Sequence, residues 1–107
     1  MKRGDVYRVR RPAGDPRPTR VFVIVGRQTV IDSGFPSVIC APVHSGADGL
    51  ATQVAVGIAE GLKHPSWILC DALTTVPKTR LTDYIGSLSQ AGILSLRRAL
   101  AVALELV

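Results

Sequence analysis

Two short segments of this 107-residue sequence combine the side chains that phosphate-ester chemistry needs. Arg20 stands where a proline-rich stretch runs into the apolar segment Val21–Val25, and His44 and Ser45 follow the apolar segment Ser37–Val43. A guanidinium offers a planar fork of donors that matches phosphate oxygens, which a lysine point charge does less well. A histidine titrates near neutral pH and can take or give a proton, and the adjacent serine hydroxyl can bind phosphate. Each has a plainer reading: Arg20 as a strand-edge surface arginine, His44 as a loop histidine without a role.

The charge distribution adds a second signal. The chain carries +5 overall, and residues 1–27 hold eight basic side chains against Asp5 and Asp15, so that segment is +6 and the remaining 80 residues sum to −1. Seven of the eight are arginine, among them Arg8, Arg10 and Arg17. This asymmetry suits a polyanionic partner as well as it suits a solvated surface. Cys40 and Cys70 lie in apolar stretches with no CxxC spacing, which predicts buried free thiols rather than a disulfide. With His44 and His64 they would make four ligands, but no spacing singles out a metal site. Apolar runs are far shorter than the roughly 20 residues that cross a bilayer. No apolar stretch follows the basic start, so neither a membrane span nor an export signal is read.

The elements that must position these residues read as strands. Asp5 to Arg10 alternates, with Val6, Arg8 and Arg10 on one face, as in a first strand exposed on one side. Arg11 to Thr19, with three prolines and a glycine, is an exposed loop. Val21 to Val25 is a β-branched run expected to be buried on both faces. A turn at Asp32–Pro36 precedes the strand Ser37 to Val43, whose Pro42 confines that end to an edge or bulge. Strands follow at Thr52 to Val56, Trp67 to Cys70 and Tyr84 to Leu88, with turns around Gly61, Pro65 and Pro77. From Ser89, an N-cap, Ile93, Leu96, Leu100 and Leu104 recur at helical steps, with Leu94, Ala101 and Val102 widening the stripe. One domain over 1–107 is predicted, a mainly β small barrel closed by a C-terminal helix.

The segments match a known pattern in order. Arg3-Gly4-Asp5-Val6-Tyr7, Arg20 ahead of Val21–Val25, and Pro36-Ser37-Val38-Ile39-Cys40-Ala41-Pro42-Val43 are joined by Cys70-Asp71-Ala72-Leu73, Pro77-Lys78, Arg80-Leu81 and Ile85-Gly86-Ser87-Leu88-Ser89. Together they resemble the MazF/PemK (Kid-like) toxins over nearly the whole chain. The resemblance implies an SH3-like CcdB/MazF-type antiparallel barrel and the toxin of a type II toxin–antitoxin system. That toxin would be a cytoplasmic homodimer with a cognate MazE-like antitoxin whose C-terminal segment occupies the RNA groove, and it would meet DNA only through the antitoxin complex. It also implies an endoribonuclease, an mRNA interferase that cuts single-stranded mRNA at a short sequence, independently of the ribosome and with no metal or cofactor. RNA supplies its own 2′-OH nucleophile, so proton handlers and one cation suffice, giving a 2′,3′-cyclic phosphate and a 5′-hydroxyl.

By this resemblance Arg20 is the catalytic arginine, with Arg17, followed by Pro18 as the family arginine usually is, the alternative; His44 and Ser45 are the other catalytic candidates, and Arg8, Arg10, Arg17, Phe35 and Asp71 are candidates for binding RNA. His44 stands where many relatives carry threonine or serine. Leu69 replaces the arginine of the Kid-like branch, leaving Asp71 as either a turn cap or a proton handler. Trp67 reads as core rather than as a base-stacking platform, and Phe35 as the most exposed aromatic. Two other functions remain open on the same fold: a CcdB-like poison of a protein target such as gyrase, and a catalytically silent nucleic-acid-binding barrel.

Overall fold

Two adjacent segments rich in β-branched residues, each apolar on both sides, organise the chain. In the computed structural model, which describes residues 1–46 and 48–107, these are β1 (Asp5–Val9) and β2 (Arg20–Ile24). They pair antiparallel with Val6 opposite Val23 and Val9 opposite Arg20. β3 (Ser37–His44) pairs with the far side of β2, placing Val21 opposite Val43. β4 (Gln53–Val56), β5 (Ser66–Leu69), β6 (Thr74–Pro77) and β7 (Asp83–Ser87) complete a curled antiparallel half-barrel. Its strand order is β4-β5-β3-β2-β1-β7, with β6 pairing β3 beside that path.

Both faces of the sheet are covered. Val6, Val23, Ala41, Val54, Ile68 and Cys70 form one core beneath the C-terminal helix α2 (Gln90–Ala103), which contributes Leu96 and Ala99. Tyr7, Val9, Phe22, Ile24, Cys40, Val76 and Leu81 form the other. At about 25 cal/mol per Å² of apolar surface, burial on two sides makes the central strands the main source of stability. β1 is therefore not exposed on one side as its alternation suggested; only Arg8 among its residues is partly exposed. Asp5 is buried with its carboxylate satisfied, accepting from the Lys2 amide and the Ser87 hydroxyl, each at 2.8 Å.

The reading of β2 as buried on both faces holds, and so does the exposed loop before it. Pro42 falls at a seam: β6 pairs β3 from Ser37 to Cys40 and β5 pairs it from Val43. A missing N–H is tolerated where neither ladder runs. Two elements escaped the sequence. Thr74–Pro77 was read as turn-forming at Pro77 but is β6, its short run ended by that proline. Gln28–Ile31 forms a single helical turn, α1, held by the Gln28 side chain, which donates to the Met1 carbonyl and Asp32 and accepts from the Arg3 amide. No propensity signal marks one turn whose anchor lies far away in sequence.

α2 starts where expected, the Ser89 hydroxyl accepting from the Gly92 amide at 3.1 Å. Its stripe is narrower than predicted: Leu96 and Ala99 are buried, while Leu94, Val102 and Leu104 are exposed. The helix ends at Ala103, so Leu104 no longer faces the sheet. Elsewhere the main chain at Glu60–Gly61 lies against that at Ile85–Gly86. A Cβ on either glycine would overlap the other segment's backbone, and Gly61 also has φ +92°.

Candidate active site

The register of the central strands builds the site. Beyond the Val21–Val43 pair, the next residues are Arg20 on β2 and His44 on β3. Arg20 is also opposite Val9 of β1, and His44 is opposite Trp67 of β5. Side chains directly opposite in a ladder share a face. Val9, Arg20, His44 and Trp67 thus form a row across four neighbouring strands at one end of the sheet. Trp67 is half-buried and belongs to neither core, so the expectation of a core tryptophan is corrected: its alternation partners Ser66 and Ile68 take the inward face.

Arg20 and His44 open onto one concavity of about 520 Å³, lined also by Ser45, Gly46, Val43, Val21, Thr19, Pro18 and Arg11. The Arg20 guanidinium rests over the Phe22 ring, 4.8 Å from its centre. That contact orients the charge without taking up its in-plane donors. Arg11 reaches the groove because its Nε donates to the Pro18 carbonyl at 2.8 Å, closing the base of the proline-rich loop.

The other sequence candidates lie apart from this groove. Arg17 grips Asp15, with its Nη2 2.7 Å from Oδ2, and these hydrogen bonds hold the Asp15 carboxyl below its ordinary range and raise Arg17. It is not among the groove-lining residues. Arg8 and Arg10 flank Asp83, at 3.4 and 4.0 Å, in a smaller concavity shared with Arg80 and Thr82. Phe35 is exposed, as read, but lines an apolar groove of about 500 Å³ with Val30, Ile31, Val38 and Ile39. Asp71 lies in the turn Cys70–Ala72 after β5 and accepts the hydroxyl of the distant Thr52 at 2.6 Å, a bond that ties this turn to the residue ahead of β4.

Sequence reasoning passed over Arg11, Thr19 and Arg80. Thr19 was legible from its place next to Arg20, whereas Arg11 and Arg80 reach their positions only through tertiary contacts. Both cysteines are buried free thiols, Cys40 in one core and Cys70 in the other. Desolvation raises Cys40 to about 12 and Cys70 to about 11. A four-ligand set with His44 and His64 is ruled out by that separation, since His44 and His64 are exposed.

A curled antiparallel half-barrel closed by one C-terminal helix, with a groove lined by Arg11, Arg20 and His44 at one end of its central strands, defines a small barrel of the toxin type. A sequence profile of the PemK-like, MazF-like toxins of type II toxin–antitoxin systems matches residues 2–104. The chain belongs to that family. It is 32% identical to Endoribonuclease MazF3 of Mycobacterium tuberculosis over 84 residues, covering 78% of this chain and 82% of that protein. It is 30% identical to a probable endoribonuclease MazF of Mycolicibacterium smegmatis over 105 residues, 97% of this chain and 96% of the relative. Among solved structures it is similar to Mycobacterium tuberculosis toxin MazF-mt6, at TM-score 0.81 and 28% identity, covering 94% and 96% of the two chains. It is also similar to a mycobacterial endoribonuclease in complex with its cognate antitoxin, at TM-score 0.83 and 27% identity over 98% and 95%.

Proposed function

We propose that this MazF-type endoribonuclease cleaves single-stranded RNA in the groove between β2 and β3, by attack of the RNA's own 2′-hydroxyl. The observation that carries the reading is the convergence of Arg20, His44 and Ser45 on one concavity. His44 takes the 2′-hydroxyl proton as the oxygen attacks phosphorus. Arg20 and the Ser45 hydroxyl bind the phosphoryl oxygens, where negative charge grows in the phosphorane. The P–O5′ bond then breaks, the 5′-oxygen takes a proton from water, and a 2′,3′-cyclic phosphate remains. Positioned acid–base help contributes typically 10²–10⁴-fold, and fixed charge at the phosphoryl oxygens a comparable factor. Trp67, opposite His44, offers a face for a base next to the cut.

The same proposal covers the cellular setting: a cytoplasmic toxin acting on mRNA as a homodimer, restrained by a MazE-like antitoxin and meeting DNA only through it. A cognate antitoxin bound to the similar mycobacterial endoribonuclease supports that partner. Exposed Leu94, Val102 and Leu104 along α2 give apolar surface consistent with a second copy. The reaction needs no metal in this scheme, because the nucleophile, base and cation come from RNA and the chain. The test is incubation of purified protein, free of antitoxin, with mixed-sequence RNA in EDTA, followed by mapping of the cut ends. Cyclic phosphate and 5′-hydroxyl ends are expected. Intact RNA at micromolar protein would overturn the reading and leave a silent RNA-binding barrel.

A further inference from the structure

Three concavities that differ in depth and lining share arginines at their borders. Arg11 and Arg20 line both the catalytic groove and a second hollow bounded by Val9, Phe22, Thr74, Thr75, Pro77 and Arg80. Arg80 in turn lines that hollow and the one holding Arg8, Arg10, Thr82 and Asp83. The three therefore adjoin in series: the first two follow the face of Val9 and Arg20 from β3 to β1, and at Arg80 the third turns past the end of β1 onto the face that carries Arg8 and Asp83. Strands lie about 4.8 Å apart, so the two steps from β3 to β1 alone span about 10 Å. A single nucleic-acid strand lays more than one phosphate over such a distance.

Arg80 is the hinge of this path and is fixed in place. It sits in the turn Lys78–Arg80, which Lys78 ties down by donating through Nζ to the Val30 carbonyl at 2.9 Å and the Ser33 carbonyl at 2.6 Å. The Arg80 Nη2 donates to the Arg10 carbonyl at 2.8 Å. One bond from a guanidinium to a carbonyl leaves its charge uncancelled and most of its donors available, while removing much of the side-chain entropy that binding would otherwise cost. Asp83 offsets part of the charge at the far end through Arg8 and Arg10. The Thr74 and Thr75 hydroxyls, on exposed positions of β6, line the hollow between.

We infer that Arg80 is a substrate-positioning residue that binds a phosphate of the RNA strand remote from the scissile one, so that Arg11, Arg80 and Arg10 form a phosphate track leading out of the groove. This inference rests on the RNA-cleaving reading for its ligand, and it predicts that binding strengthens with strand length in a salt-dependent way. Each phosphate neutralised on a single strand contributes about 0.7 to the slope of log K against log salt.

The test measures binding of fluorescein-labelled, mixed-sequence oligoribonucleotides methylated at their 2′-oxygens, which cannot be cut, by anisotropy across a salt series. A trinucleotide and a longer strand are compared. Arg80→Gln is expected to weaken binding of the longer strand about tenfold and to flatten its salt slope by about 0.7, with a smaller deficit for the trinucleotide. Arg80→Lys should recover part of the affinity. Arg10→Gln, whose side chain is largely exposed and whose carbonyl is retained, should shift the slope in the same direction without touching the fold. An unchanged slope in Arg80→Gln, or an equal deficit for both lengths, would overturn the track; should Arg80→Gln fail to fold, an unchanged slope in Arg10→Gln does the same. Cleavage of the unmethylated strand by the parental protein is run in parallel. If it fails while the salt slopes behave as expected, the cleavage reading falls and the track stands.

Discussion

The two faces of the sheet are built from the same β-branched strands yet are finished differently. Beneath α2, Val6, Val23, Ala41, Ile68, Leu96 and Ala99 are sealed, with at most a few per cent of any of them exposed. On the other face the core of Phe22, Cys40 and Val76 runs out at the strand ends, and the next residues in the ladders are Arg20 and His44. One core is closed by the helix α2, whereas the other gives way at its strand ends to polar side chains. Stability should therefore reside under α2 and chemistry at the open end, and changes in one region should leave the other intact.

The sharpest break is Arg20→Ala. RNA cleavage should fall by at least about 10³-fold, below detection, while the thermal midpoint stays near that of the parent, since Arg20 is exposed at the end of β2 with its guanidinium over the Phe22 ring. His44→Ala should lower cleavage by about 10²–10⁴-fold. Full activity in that variant would shift the proton transfer away from His44 and turn attention to Ser45. Leu96→Ala tests the closed side: a loss of about 2–5 kcal/mol in urea unfolding is expected, with turnover per folded molecule retained. Trp67→Ala should weaken RNA binding by about 1–3 kcal/mol with little change in unfolding. Equal damage to folding would return that residue to a structural role.

The thiols give the mildest test. Burial raises Cys40 to about 12 and Cys70 to about 11, against 9.0 for an exposed thiol. The folded state thus holds its protons where the unfolded chain has lost them. Their contribution is complete below pH 9 and declines as pH rises through that window toward 12. Urea midpoints should fall over this range, and both thiols should resist alkylation near neutral pH until the chain unfolds.

How legible this was depends on whether a signal was local. β2, the proline-rich loop and the Ser89 cap are written in consecutive residues, and the structure follows them closely. The convergence of Arg20, His44 and Ser45 on one groove was legible, because each lies at or next to the end of a strand that the apolar pattern marks. Arg17 and Arg20 could not be separated on the sequence; the Asp15 carboxylate that occupies Arg17 separates them geometrically. Trp67 was misplaced because a short apolar run does not say which residue faces in. Arg11 and Arg80 depend on carbonyls contributed by Pro18 and Arg10, and no spacing rule encodes those partners.

The crossing of Glu60–Gly61 with Ile85–Gly86 bears on how such a chain can diverge. Where two side chains collide, a smaller neighbour can compensate, and lineages exchange one fit for another. Here the obstacle to any side chain is peptide backbone, identical in every residue, so no second substitution relieves the first. Gly61 and Gly86 are thus constrained jointly, and a side chain at either one is expected to force the two segments apart.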